Sequence, residues 1–392
     1  MLYIGIDVSK HKHDCFITNS DGEVVKDVFT VRNSMEGFNE LLENIREHQQ
    51  TPSTENTKIG LEATGHYSDN IVRFLKRSNL SPIVLNPLRV NLYRKGQTLR
   101  KTKTDKSDAR FIAKMLITED VSVASLLPYD FEELKSLTRH RHRLVKIRSM
   151  YKISFDRLLN IVFPEFENYV SNTLGATEKN ILLEMPTAKA IAGCHLTHLV
   201  NLAKTLSRGH HDKQWAINLK MLAENSIGSS SPAKALEMQQ ILRQIMSITN
   251  EIDIVENEIK MRVEESGSTL TTIPGVSYTL AGIIIAEIGD ISRFESPAKL
   301  QAFAGLDPTT YQSGQYVGGK DVMVKRGSTY LRWALLMVAR IISRSDSIFN
   351  EYLNKKISEG KHYNSAMGHV AKKLIRVIYH LMNSGEAYSP QF

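Results

Sequence analysis

The sequence predicts an α/β domain followed by a predominantly helical remainder, and three observations carry that prediction. Up to Leu85, short apolar runs alternate with amphipathic stretches. The middle of the chain holds a heptad pattern, and the last third has apolar helical runs broken by Gly- and Ser-containing turns. With 392 residues, 42% hydrophobic and 23% charged, the chain has room for two to three domains of ordinary globular composition. Wholesale disorder is excluded.

The elements follow in order. Tyr3 to Val8 reads as a strand and Asp14 to Thr18 as a second; the turn Ser20-Asp21-Gly22 leads into a third, Val24 to Val31. Ser34 is a helix cap, and the helix it opens runs through Arg46. Ile59-Gly60-Leu61-Glu62 is a fourth strand, His66 to Arg77 a helix, and Pro82 to Leu85 a fifth strand. This order is that of a ribonuclease-H-like fold, in which the first and fourth strands lie side by side. Residues 1–125 form this domain.

Two long arms are expected next, over 126–163 and 233–268. Met238, Ile241, Ile245, Ile248, Ile252, Val255 and Ile259 are spaced 3,4,3,4,3,4, the seam of a coiled coil. Leu134, Leu137, Leu144, Tyr151, Phe155, Leu158 and Val162 give the same seam on the first arm, with Arg141 and Arg148 at two of its positions. The arms pair within the chain or between subunits. Residues 164–232 are a helical insertion of unassigned role. Residues 269–392 form a mainly helical C-terminal domain, entered through Ile273-Pro274-Gly275-Val276-Ser277, a turn like that of a helix-hairpin-helix except that serine stands where its second glycine is usual.

Charge and cysteine narrow the function. Fifty Lys and Arg against 42 Asp and Glu give +8, a mild preference for polyanionic partners. Nine basic residues, Arg89, Arg94, Lys95, Arg100, Lys101, Lys103, Lys106, Arg110 and Lys114, stand between Asn86 and Lys114 against Asp105 and Asp108 alone, a net of +7. Such a strip fits a phosphate backbone. A second run, RHRHRLVKIR at 139–148, is either another contact or a solvated helix face. Cys15 and Cys194 belong to no CxxC or Cys/His cluster, so neither a disulfide framework nor a zinc knuckle is expected, and a reducing cytoplasm fits. No leader or membrane span is expected from the start of the chain or its apolar runs.

The chemistry is carried by acids. Asp7 ends the first strand and Glu62 the fourth, at the same edge of the expected sheet; Asp105 and Asp108 lie three apart at a helix start. Four oxygen donors suit Mg²⁺, and two such ions about 4 Å apart can clamp the attacking and leaving oxygens of a phosphodiester. The alternatives are that Asp105 and Asp108 only cap a helix and that Glu62 is a surface strand residue. An actin-like phosphate loop at GIDVSK is disfavoured, because Val-Ser-Lys-His follows Asp7 where glycine is needed. Ser313, beside Gly314 in a polar loop, is by itself either loop filler or a nucleophile.

GIDVSK, GLEATGHY, KTDKSDA, IPGV, GLDPTTYQSG and KRGSTYLRWAL, in this order, resemble the insertion-sequence-110 family of transposases, with its IS1111-type members and related DNA invertases. The resemblance runs from Tyr3 to about Met382. It implies a RuvC-like N-terminal domain with Asp7, Glu62, Asp105 and Asp108 as metal ligands, and Ser313 as a nucleophile forming a phosphoserine link to DNA. Gly275, Lys325 and Arg326, within the IPGV and KRGSTYLRWAL motifs, join the basic strip as expected nucleic-acid contacts. It further implies donor and target DNA, a structured non-coding guide RNA, and a homodimer pairing into a homotetramer in the bacterial cytoplasm. The expected activity is Mg²⁺-dependent transposition or recombination. The alternatives are a RuvC-like junction nuclease, a protein-only invertase, and a non-catalytic nucleic-acid scaffold.

Overall fold

Five strands form one mixed sheet: β1 (Leu2–Val8), β2 (Lys12–Asn19), β3 (Val24–Arg32), β4 (Thr57–Glu62) and β5 (Pro82–Leu85), in the order β3-β2-β1-β4-β5. The computed structural model describes residues 1–49, 56–62, 65–85, 87–97, 105–119, 129–308, 312–313, 316–317 and 323–390. β1 runs antiparallel to β2 and parallel to β4, so the first and fourth strands are neighbours as expected. Helices α1 (Met35–His48), α2 (Asp69–Arg77), α3 (Pro87–Gln97) and α4 (Asp105–Thr118) complete this part of the chain. It lies within the first of two compact units, Met1–Leu126 and Leu127–Phe392.

Strand alternation decides which face each residue serves. Ile4, Ile6 and Val8 are buried with Phe38, Leu41 and Ile45 of α1 and Ile71 and Leu75 of α2. α1 starts where predicted, because the Ser34 hydroxyl accepts from the Gly37 amide at 3.2 Å. The helix expected from His66 instead opens as a 3₁₀ turn, Gly65–Ser68, before α2. On the other sheet face Tyr3 and Gly5 meet α4. A Cβ on Gly5 would stand 2.0 Å from the Ala109 carbonyl oxygen and 2.6 Å from the Ala113 nitrogen. The bare glycine therefore lets the helix backbone rest on β1.

The second unit is helical. α5 (Tyr129–Val162) and α11 (Pro232–Glu265), 34 residues each, pair within the chain. The cross-links Glu133–Arg262, Arg141–Glu256 and Arg157–Glu237 run in opposite senses along the two, so they are antiparallel. Six of the seven seam residues of α11 are buried, and Ile248 is half-buried. Arg141 and Arg148 keep their seam positions by sending their guanidiniums to Glu256 and to the Thr249 hydroxyl. Between the arms come α6 (Phe166–Tyr169), α7 (Ala176–Glu184), α8 (Ala188–Gly193), α9 (Leu196–Leu206) and α10 (Lys213–Glu224). They share a core with Phe155, Leu158 and Val162 of α5 and Met238, Leu242 and Ile245 of α11.

The C-terminal part comprises α12 (Tyr278–Ile288), α13 (Pro297–Ala304), the two-residue strands β6 (Gln312–Ser313) and β7 (Tyr316–Val317), α14 (Thr329–Ser345), α15 (Ser347–Ser358) and α16 (Tyr363–Ser384). α12 is buried from Leu280 through Ile288, as its all-round apolar sequence requires. The turn before it is tight: the Val276 amide donates to the Ile273 carbonyl at 3.0 Å and Gly275 has φ +82°. A left-handed residue third in a Pro-containing turn calls for glycine. Among the described residues no helix is long and apolar enough to cross a membrane.

Candidate active site

The register pairs Ile6 with Leu61, so Asp7 and Glu62, the next residues of adjacent parallel strands, reach the same level. Alternation puts Asp7 on the face of Gly5 and Glu62 on that of Gly60, the face covered by α4. Both are half-buried. α4 lays Ala109 and Ala113 against Gly5, so its first turn points to the Asp7 end of β1. That turn carries Asp108, 5% exposed, and begins at Asp105, whose side chain lies outside the described residues. Asp7, Glu62 and Asp108 thus share one end of one sheet face.

Two partners there were not anticipated. Asp14 pairs directly across from Asp7 on β2 and so faces the same side. It is buried, accepts from the Thr30 hydroxyl and meets the Lys12 ammonium at 3.3 Å. The signal was in the sequence, since an antiparallel second strand opposes KHDCF to the GIDVS end of the first. Arg94 departs from expectation more sharply. Rather than being displayed for phosphate, its Nη1 donates to Asp108 Oδ1 and Oδ2 at 3.2 and 3.5 Å, while Nη2 donates to Asn91 at 3.0 Å. A buried carboxylate draws the nearest cation, and Arg94 stands one helix away.

Of the other expected contacts, Arg89 pairs with Glu119 at 2.6 Å and Arg110 with Asp27, while Lys95 is exposed. Arg100, Lys101 and Lys103 lie outside the described residues, as does the side chain of Lys106. Lys325 and Arg326 are exposed, and so is Gly275.

Ser313 lies on β6, paired with Tyr316; its side chain is outside the described residues. The base of that hairpin is well built. The Val324 amide donates to Asp307 at 2.9 Å and Lys325 to Gly305 at 3.2 Å, and Arg332 donates to the carbonyls of Ala304 and Lys325. Just beyond, Ser328 caps α14 and its hydroxyl donates to Glu287 at 2.8 Å. Glu287, 1% exposed, also takes both ends of the Arg139 guanidinium at 2.8 and 3.1 Å, with Lys135 at 4.0 Å. This ties the start of α14 to the first arm through α12. Its sequence signal was a lone acid in the apolar run GIIIAEIG.

Carboxylates from two strand ends and a helix start are the donors a hard divalent cation takes, so the residue types fit a metal. Among the described residues no three His, Cys, Asp or Glu side chains stand close enough together to hold one.

Comparison with known proteins identifies the family. A transposase family model of the DEDD type matches residues 4–164, and one described as the IS116/IS110/IS902 transposase family matches residues 267–354. The pilin gene-inverting proteins of Moraxella lacunata and Moraxella bovis are each 24% identical over 394 residues, 98% of this chain and 97% of theirs. The transposase of insertion element IS1111A from Coxiella burnetii is 22% identical over 396 residues, 98% of this chain and 90% of its own. The protein is therefore an enzyme acting on DNA, of the transposase class. The chain belongs to the IS110 family of transposases. Its DEDD-type domain implies dependence on a divalent metal.

Proposed function

We propose that the chain cleaves and rejoins the DNA strands of an insertion element, using Asp7, Glu62, Asp105 and Asp108 as holders of Mg²⁺, as two ions, and Ser313 as nucleophile. The observation that carries this reading is the placing of Asp7, Glu62 and Asp108 at one end of one sheet face. The bound metal would supply a Lewis acid for the phosphoryl oxygens and the departing ribose oxygen. The Ser313 oxygen gives up its proton as it bonds to phosphorus, and the phosphorus–ribose oxygen bond breaks, leaving a strand hydroxyl and a phosphoserine. A hydroxyl of the partner strand then displaces the serine, which regains a proton. One phosphodiester is lost and one formed, so no nucleotide hydrolysis is needed.

Sequence choice is assigned to a structured guide RNA pairing with donor and target DNA, and the working form to a homodimer pairing into a tetramer. The relatives named for pilin gene inversion keep a second reading open, inversion by protein alone. Trapping on radiolabelled DNA tests the chemistry: a covalent adduct is expected, lost in Ser313→Ala. Cleavage that survives in that variant favours a metal-dependent junction nuclease. Recombination by purified protein without RNA favours the invertase.

A further inference from the structure

The excess charge is concentrated in two places. The chain carries +8, of which 86–114 hold +7. Residues 355–376 hold Lys355, Lys356, Lys361, Lys372, Lys373 and Arg376 against Glu359, a net of +5, which leaves −4 for everything else. The second concentration lies in the second unit and beyond the matched family segment, which ends at residue 354.

On α16, His369, Lys372, Lys373 and Arg376 follow i, i+3, i+4 and i+7 and so form one face, while Val370, Leu374, Val377 and Ile378 are buried behind it. The face continues onto α15. The Lys373 ammonium lies 5.0 Å from the Phe349 ring and 5.3 Å from the Tyr352 ring, and Lys356 lies 5.5 Å from the same Tyr352 ring. Two ammonium groups therefore share one aromatic ring. Burial, with Lys361, Lys372 and Lys356 nearby and Glu359 opposing them, holds the His369 imidazole below its usual pKa. Glu359 pairs with Lys356 at 2.8 Å and also lies near Lys355 and Lys361.

A solvated helix face usually interleaves signs, and like charges three or four apart destabilise it. Here they are collected, with the Lys356 and Lys373 ammoniums held over rings, an arrangement that a polyanion relieves. Duplex DNA offers a charge about every 1.7 Å of its axis, and the stripe from His369 to Arg376 spans about 10 Å of helix.

We propose that the α15–α16 surface is a second docking site for the phosphate backbone of duplex DNA, separate from the basic segment of the first unit. The test is full-length protein binding to duplex DNA, followed by fluorescence anisotropy across a salt series. In Lys372→Gln/Lys373→Gln/Arg376→Gln the slope of log affinity on log salt is expected to fall by about 2–3. Thermal unfolding is expected to be unchanged. Lys355→Gln/Lys361→Gln, at the end of α15 and in the turn after it, is expected to lower the slope by about 1–2 and stands in if the triple variant is poorly folded. Lys189→Gln/Lys204→Gln/Lys213→Gln, on exposed lysines elsewhere, is expected to leave it unchanged. An unaltered slope in both patch variants overturns the proposal. So does an equal fall in the control, or a loss confined to structured RNA.

Discussion

Asp108 and Glu287 are both buried helix carboxylates that hold an arginine, yet their neighbours differ. Glu287 is ringed by cations and a donor: Arg139 at both oxygens, Lys135, and the Ser328 hydroxyl. It joins α5, α12 and α14, and its lone pairs are spent on structure. Asp108 meets Arg94 from the neighbouring helix, while the sheet end beside it carries further acids, Asp7, Glu62 and Asp14. The lesson is that an ion pair does not define a role; the sign of the charge around it does. A collection of anions invites a cation, whereas a saturated anion invites nothing.

The comparison breaks if the two acids behave alike on substitution. Asp7→Asn and Asp108→Asn are expected to lower strand cleavage by about a hundredfold or more while the protein stays folded, which denaturation and single-turnover cleavage measure together. Wild-type rates in either variant would make the acidic sheet end structural.

Gly5→Ala sharpens the same point from the backbone. The new methyl meets the Ala109 carbonyl and the Ala113 amide, so α4 must lift from β1. About 3 kcal/mol of stability is expected to go, together with the cleavage activity, because Asp105 and Asp108 ride on that helix.

At the other centre, Arg139→Met leaves Glu287 buried with Lys135, Ser328 and the nearby Arg293. A loss of about 3 kcal/mol is expected, near the low end for a broken buried pair because the Arg139 side chain is 38% exposed. Melting curves measure it, and Glu287→Gln/Arg139→Met is expected to recover part of the loss. Mn²⁺ is expected to raise the melting temperature of Arg94→Met more than that of wild type, and that of Arg139→Met, which keeps the acidic sheet end intact, by no more than wild type.

Much of this was legible in sequence, for physical reasons. The strands are short apolar runs between turns, the Ser34 cap announces α1, and the 3,4 spacing on α11 can only face one way. The pairing of β1 with β4 followed from the element order, and with it the meeting of Asp7 and Glu62. What stayed hidden depends on contacts remote in sequence. Arg139 reaches Glu287 across 148 residues, and nothing local pairs them. The pairing of Arg94 with Asp108 was not legible, because charge runs carry no record of which cation a buried acid will claim. The α16 stripe escaped because its lysines are spread over a helical face rather than gathered in a run.

A smaller effect concerns His13, buried on the sheet face opposite Asp7 and stacked on the Phe38 ring at 5.7 Å. Burial lowers its pKa below 6.5. As pH falls below 6.5 the unfolded chain takes up this proton while the folded unit does not, so stability is lost with acidification. Hydrogen exchange of the β1–β2 amides between pH 7 and 5 is expected to show that loss, and His13→Phe to flatten it.

The account rests on one cation-holding site, and anomalous diffraction from crystals grown with Mn²⁺ and cleavable DNA tests it most directly. The predicted result is an anomalous peak bounded by Asp7, Glu62 and the first turn of α4, with Arg94 turned away from Asp108. A peak elsewhere, or Arg94 still seated on Asp108 in protein that has cleaved its DNA, would contradict it.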